Sequence, residues 1–186
     1  MRVVLFTRWP APGHAKTRLI PALGADGAAA LHRRLTERAV AACRASGLAV
    51  EVRTTGAPVA AFAAWLGADL RIIDQGEGDL GERLARAAAA APMLLVGADI
   101  PDLTAGHLRH AAATLAEAPV SIGPAEDGGY WLLGLAAPMP ALFADIAWGT
   151  ATVFADTVAK LAAPPVVLDT LADLDRPEDL ARWPGL

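Results

Sequence analysis

Three basic side chains lie close together near the start of the chain: Arg8, Lys16 and Arg18, within Phe6-Thr-Arg-Trp-Pro-Ala-Pro-Gly-His-Ala-Lys-Thr-Arg-Leu19. Lys16 is one of only two lysines, against 14 arginines, so its use here is selective. An ammonium is a compact point charge, whereas a guanidinium can hold two oxygens at once. Gly13 lets the backbone approach a ligand closely, and the amides and hydroxyl around Thr17 add donors. The chemistry this composition suits is the holding of phosphates.

Acidic residues supply the complementary half. Asp99 follows an apolar run and stands between Gly97-Ala98 and Ile100-Pro101. A carboxylate fixed there suits a hard cation such as Mg²⁺, which takes one or two carboxylates and completes its shell with water and phosphate. Asp173 and Asp175 are two residues apart, so on an extended backbone both point to one side. Two like charges held together call for a cation between or near them. The alternative for Asp175 is to cap a terminal helix, with Glu178 three residues on as its partner. Asp102 reads as an ordinary loop carboxylate.

Two glycine-rich loops are weaker signals. Gln75-Gly-Glu-Gly-Asp-Leu-Gly-Glu-Arg83 opens onto a helix, where Gly78 and Gly81 would free amides for an anion and Gln75 would read a base edge. In Glu126-Asp-Gly-Gly-Tyr130, either a plain hairpin turn forms, or Gly128 and Gly129 admit a flat ligand while Asp127 reaches a metal or hydroxyl. Trp148, before a helix, either shapes an acceptor pocket or packs in the core. His14 is placed to touch substrate. His32, His107 and His110 sit on predicted helices with no metal-ligand partner, and read as exposed or simply packed.

These residues must be positioned by alternating elements. Strands are expected at residues 3–7, 48–54, 70–73, 93–96, 120–122, 130–135 and 166–168. Helices are expected at 27–46, 59–66, 80–91, 105–118 and 150–161, with a short one from 177 to 181 led by proline. In the first helix, Ala28, Leu31, Leu35, Ala39 and Ala42 share one side and the arginines the other. Thr104 is the expected N-cap of the fourth. The alternation implies an α/β sandwich with a mainly parallel sheet, whose ligands gather at the carboxyl ends of the strands.

At 186 residues the chain suits one domain, 1–186. A net charge of −4 with interspersed signs argues against nucleic-acid binding. No stretch resembles a signal peptide or a membrane span. The single cysteine, Cys43, cannot form an internal disulfide and reads as a buried small hydrophobe, in keeping with a cytoplasmic protein.

The basic loop, then the Gln75–Arg83 loop, Gly97-Ala-Asp-Ile-Pro101, Glu126-Asp-Gly-Gly-Tyr-Trp-Leu-Leu-Gly134 and Asp173-Leu-Asp-Arg-Pro-Glu-Asp-Leu180, in this order, resemble the DUF2064 family. Its members are labelled glycosyltransferases, some grouped with radical-SAM and selenium-domain genes, and are similar to the nucleotide-diphospho-sugar transferase superfamily. The resemblance implies a Rossmann-like GT-A fold, a three-layer α/β/α sandwich, with a nucleotide at the sheet's carboxyl edge and a divalent cation, Mg²⁺ or Mn²⁺. It implies phosphate contacts from Lys16 and Arg18, metal binding by Asp99, and a site completed by Asp173 or Asp175. The Leu-Ala-Ala-Gly-x-Gly-x-Arg loop of related nucleotidyltransferases is replaced here by the proline-containing stretch from Arg8 to His14.

Two activities follow as expectations. One is transfer of a nucleotidyl group from a nucleoside triphosphate to a small phosphorylated acceptor, catalysed by Lys16, Arg18 and Asp99 with Mg²⁺. The other is glycosyl transfer from a nucleotide sugar. A nucleotide-binding protein without catalysis is the third reading. The short chain implies a small acceptor, or one held partly by a second subunit in a homodimer.

Overall fold

The computed structural model describes residues 1–186. Its elements follow the chain as β1 (Arg2–Arg8), α1 (Ile20–Ala45), β2 (Ala49–Thr55), α2 (Val59–Leu66), β3 (Arg71–Asp74), α3 (Leu80–Ala88) and β4 (Met93–Gly97). Then come α4 (Ala105–Thr114), β5 (Val120–Pro124), β6 (Tyr130–Leu135), α5 (Val153–Ala159) and β7 (Val166–Val167). Short 3₁₀ turns lie at Thr17–Leu19, Pro140–Phe143 and Pro177–Arg182. No helix is long and apolar enough to cross a membrane.

One seven-stranded sheet has the order β3-β2-β1-β4-β6-β5-β7. Every pairing is parallel except those of β6, which runs antiparallel to both β4 and β5. A tight β5–β6 connection permits only that direction, whereas the helical crossovers elsewhere deliver parallel strands. The inversion matters for function: the start of β6 shares the sheet edge with the ends of β1 and β4.

The central strands are buried on both faces because alternate residues feed opposite cores. Val3, Leu5, Leu94 and Val96 pack in one core with residues of α1, α2 and α4. Val4, Met93 and Leu95 pack in the other with Leu84, Ala87, Leu142 and Phe143. Helices therefore cover both faces, giving the three-layer α/β/α sandwich. Cys43 is fully buried in the first core, and burial pushes its thiol up to about 12.

Most elements fall within two residues of their expected bounds, and the departures have local causes. α1 begins at Ile20 rather than 27, because a helical turn precedes a break at Gly24 (φ 72°, ψ 168°). The apolar period resumes only beyond that break. α3 and α4 end early, at Ala88 and Thr114, and α5 keeps only 153–159 of its expected span. Alanine-rich flanks carry helical propensity there, but form turns where no core face remains to bury. The 3₁₀ turn at Pro140–Phe143 was not legible, since prolines mask its pattern.

Gly128 in the β5–β6 connection holds φ +88°, and a Cβ there would lie 2.2 Å from the Ala151 carbonyl oxygen. Its own carbonyl accepts from Phe154 N at 2.9 Å, tying the connection to α5. Gly128→Ala should therefore destabilise the protein by about 1–3 kcal/mol, measured as a lower denaturation midpoint; an unchanged midpoint would show that the 151 loop yields freely.

Candidate functional site

A cavity of about 820 Å³ opens at the carboxyl ends of β1 to β4 and the amino end of β6. That size is within the range of small-molecule sites. Its walls bring together Arg8, Lys16, Arg18, Asp99, Asp173 and Asp175, from three distant parts of the chain.

Lys16 is the centre of the arrangement. It lies between the fully buried Ala15 and Leu19 and adopts the left-handed conformation (φ 49°, ψ 45°), unusual for a residue with a Cβ. Its side chain is only 3% exposed, with Nζ 2.5 Å from Asp99 Oδ1 and 3.5 Å from Asp175 Oδ1. The short contact to Asp99 and the longer one to Asp175 are the ammonium's ion pairs in the interior. Arg18 Nη1 reaches the other oxygen of Asp175 at 2.5 Å. Arg8 donates to the His14 carbonyl at 2.8 Å and so braces the loop from within.

Local packing explains how the two carboxylates reach one ammonium. Ala98 and Ile100 are buried on either side of Asp99, which turns its side chain toward the cavity. In the C-terminal segment Ala172 and Leu174 are buried, so the intervening Asp173 and Asp175 face outward to the same cavity. The amide of Leu174 donates to the Asp99 carbonyl at 3.0 Å, locking the two segments together. Asp175 does not cap the terminal turn. Asp179 accepts instead from the amides of Asp175 and Arg176, at 3.0 and 2.7 Å, which leaves the Asp175 carboxylate for Lys16 and Arg18. Asp102 accepts from the Trp183 indole, a structural contact.

Electrostatics divide the acids. Burial opposes ionisation of Asp99, but the Lys16 ammonium outweighs it, aided by His32 and Arg8, and holds the carboxyl below its usual range. Asp173 has no cationic partner; burial, and then Asp127 and Asp175, push its pKa up. Asp99 and Asp175 are thus the pair whose oxygen ligands could hold a divalent cation. No three histidines, cysteines or acids converge into an all-protein cage. Two carboxylates facing a cavity match the smaller donor set used with phosphates and water.

The remaining expected residues divide between cavity wall and scaffold. Thr17, Gln75, Gly78, Asp127 and Gly129 line the cavity; Gly13, Gly81 and Gly128 do not. Gly81 is required by packing, since a Cβ there would meet the Phe143 carbonyl at 2.5 Å and the Trp148 indole nitrogen at 2.6 Å. Gln75 donates its amide hydrogens to the Thr7 and Arg53 carbonyls, each at 3.0 Å, so it staples the ends of β1, β2 and β3. Asp127 closes a turn onto Gly129 N at 2.8 Å.

Sequence reasoning missed Arg83, Tyr130 and the site contacts of His32; of the two alternatives for Trp148, the cavity wall is the one observed. Arg83 donates to the Gly78 carbonyl at 2.9 Å and shapes the glycine loop. Tyr130 and Trp148 meet edge to face at 6.4 Å and form an aromatic wall with Leu80, Leu84 and Val153. His32 is packed, as one alternative held, but against the site: its Nε2 lies 3.1 Å from the Arg8 carbonyl and 3.4 Å from Thr7 Oγ1. Only its place on the buried stripe of α1, beside Leu31 and Leu35, signalled this.

Burial lowers the His32 pKa below its ordinary 6.5, despite the nearby Asp99 charge. The folded protein therefore binds this proton less readily than the unfolded chain. Its stabilising share is complete above about pH 6.5 and declines as pH falls toward the folded value. His32→Gln should flatten the fall in melting temperature between about pH 7 and pH 5; an unaltered slope would place the titration elsewhere.

Comparison with known proteins bears on the fold and the family. A provisionally named nucleotide-diphospho-sugar transferase from Desulfovibrio desulfuricans G20 is 30% identical, with a TM-score of 0.87 over 95% of this chain and 84% of that one. A 4-diphosphocytidyl-2C-methyl-D-erythritol synthase shares the fold at 14% identity, with a TM-score of 0.62 over 97% and 95% of the two chains. So does Rv0371c from Mycobacterium tuberculosis H37Rv, solved as a manganese complex, at 18% identity and a TM-score of 0.57 over 98% and 97%. No curated protein matches the chain. The family model described as "Uncharacterized protein conserved in bacteria (DUF2064)" matches residues 35–150, and the chain belongs to that family.

Proposed function

We propose that this protein is a metal-dependent transferase that moves a nucleotidyl group from a nucleoside triphosphate to a small phosphorylated acceptor. The observation that carries this reading is the juxtaposition of Arg8, Lys16 and Arg18 with Asp99 and Asp175 on one cavity wall. A triphosphate needs several positive charges at one place, and the cavity concentrates them beside the β1 loop.

In this reaction an oxygen of the acceptor's phosphate attacks the α-phosphorus. The bond from that phosphorus to the bridging oxygen breaks, and pyrophosphate leaves with the electron pair. Lys16 and Arg18 neutralise the charge that builds on the leaving group. The attacking oxygen is already ionised, so no strong general base is required, which suits a site whose one buried histidine is tied to the Arg8 carbonyl. Mg²⁺ or Mn²⁺, held by Asp99 and Asp175 with Asp173 beside them, would supply further charge neutralisation at the phosphates.

A second reading, glycosyl transfer from a nucleotide sugar, draws on the name of the 30% identical Desulfovibrio structure. It uses the same cations on a diphosphate. A thermal-shift series separates the two: with Mg²⁺, nucleoside triphosphates should raise the melting temperature more than nucleotide sugars do. Stabilisation by nucleotide sugars alone would reverse the order.

Two variants test the residues. Lys16→Ala should weaken triphosphate binding by roughly ten- to a hundred-fold in calorimetry, and should also lower the melting temperature because it leaves Asp99 without its cation. Unchanged affinity would remove Lys16 from the phosphate site. In Asp99→Asn, the part of nucleotide affinity that depends on Mg²⁺ should disappear; its survival would acquit Asp99 of metal binding.

A further inference from the structure

In the structure one ammonium stands where the proposed reaction needs a metal. Lys16 Nζ is buried between Asp99 and Asp175, 2.5 Å from one carboxylate and 3.5 Å from the other. It engages Asp99 and Asp175, Arg18 takes the remaining oxygen of Asp175, and Asp173, which also lines the cavity, forms no ion pair. A divalent cation seated on the same two oxygens, Asp99 Oδ1 and Asp175 Oδ1, would have to take the place of this ammonium.

We infer that Lys16 is a built-in competitor of the divalent cation, and that metal entry displaces its side chain toward the phosphates of the bound nucleotide. The inference rests on the metal-dependent reading of the site and adds an order to its assembly. Without nucleotide, the ammonium offsets part of the charge on Asp99 and Asp175 and weakens metal binding. A nucleotide gives the ammonium a second anionic partner, so leaving the carboxylates becomes easier. By linkage, metal and nucleotide each raise the other's affinity.

The local structure suits such an exchange. Ala15 and Leu19, both fully buried, anchor the loop on either side of Lys16. The backbone between them can stay fixed while a four-carbon side chain swings. Lys16 is also the only lysine among the cavity-lining residues. An arginine's wider, planar fork would be harder to hold between two carboxylates and then release. In either state a cation faces both carboxylates, so neither is stranded, which would be costly.

The test is Mn²⁺ binding to the nucleotide-free protein, followed by electron paramagnetic resonance of the free ion. Removing the competing charge in Lys16→Met should tighten Mn²⁺ binding about ten-fold or more, whereas a lysine that merely supports the site would weaken it. Lys16→Gln, which keeps length and polarity, should show the same gain and serves if the methionine variant folds poorly. Lys16→Arg, which keeps the charge, should remain close to the wild type. Mn²⁺ should also raise the melting temperature of the neutral variants more than that of the wild type.

If wild type and neutral variants bind Mn²⁺ equally, or the variants bind it more weakly, the competition is refuted and the metal site stands. If none of them binds Mn²⁺ at millimolar concentration without nucleotide, the competition is refuted; if none binds it with a nucleoside triphosphate present either, the metal-dependent reading falls as well.

Discussion

Asp99 and Asp175 arrive at the cavity from segments far apart in the chain, and both carry negative charge. Their approach is stable because Lys16 brings a positive charge to the same point, 2.5 Å from one and 3.5 Å from the other. An unpaired ammonium this deeply buried would be costly, as would two adjacent carboxylates without a cation. The three groups therefore require one another. This contact joins the loop after β1, the end of β4 and the C-terminal segment into one surface. The left-handed backbone at Lys16 is sustained by the same contact and by the buried neighbours that flank it.

Backbone interactions hold the participants at that point. The Leu174 amide on the Asp99 carbonyl sets the C-terminal segment beside the end of β4, and an isolated bridge between Ala125 and Leu171 sets it beside β5. Trp131 extends the same seam by donating to the Asp169 carbonyl at 3.0 Å. Asp179 satisfies the amides that Asp175 would otherwise have been drawn to cap. The Asp175 carboxylate stays available to Lys16 and Arg18 because another, four residues on, caps the terminal turn.

The cavity has two chemically distinct walls. The basic loop and the acids of β4 and the C-terminal segment line one side. The other has an aromatic and aliphatic surface built on α3, β6 and the loop before α5. The antiparallel insertion of β6 is what places Tyr130 on this edge. Gly81 then lets α3 approach Trp148 closely enough to complete the wall. A phosphate-bearing substrate suits the first wall, and the second offers flat apolar contact to what it carries.

Much of this was legible in the sequence, for physical reasons. Strand and helix identity followed from hydrophobic period, and the alternation of β and helical segments implied an α/β sandwich with a mainly parallel sheet. The residues Arg8, Lys16, Arg18, Asp99, Asp173 and Asp175 were marked by charge type beside backbone-fixing neighbours, which are local properties. Which carboxylates share a cation is not local. Asp173 and Asp175 looked equivalent by spacing, yet only the fold gives Asp175 the lysine and leaves Asp173 against Asp127. The glycines show the same limit. Gly78 and Gly129 reach the cavity while Gly81 and Gly128 serve chain packing, because a missing Cβ looks alike in sequence whether a ligand or another backbone fills the space. The chain's own chemistry determined its classes of residue and element; tertiary packing decided their partners, since contact between distant segments depends on how helices and strands are stacked.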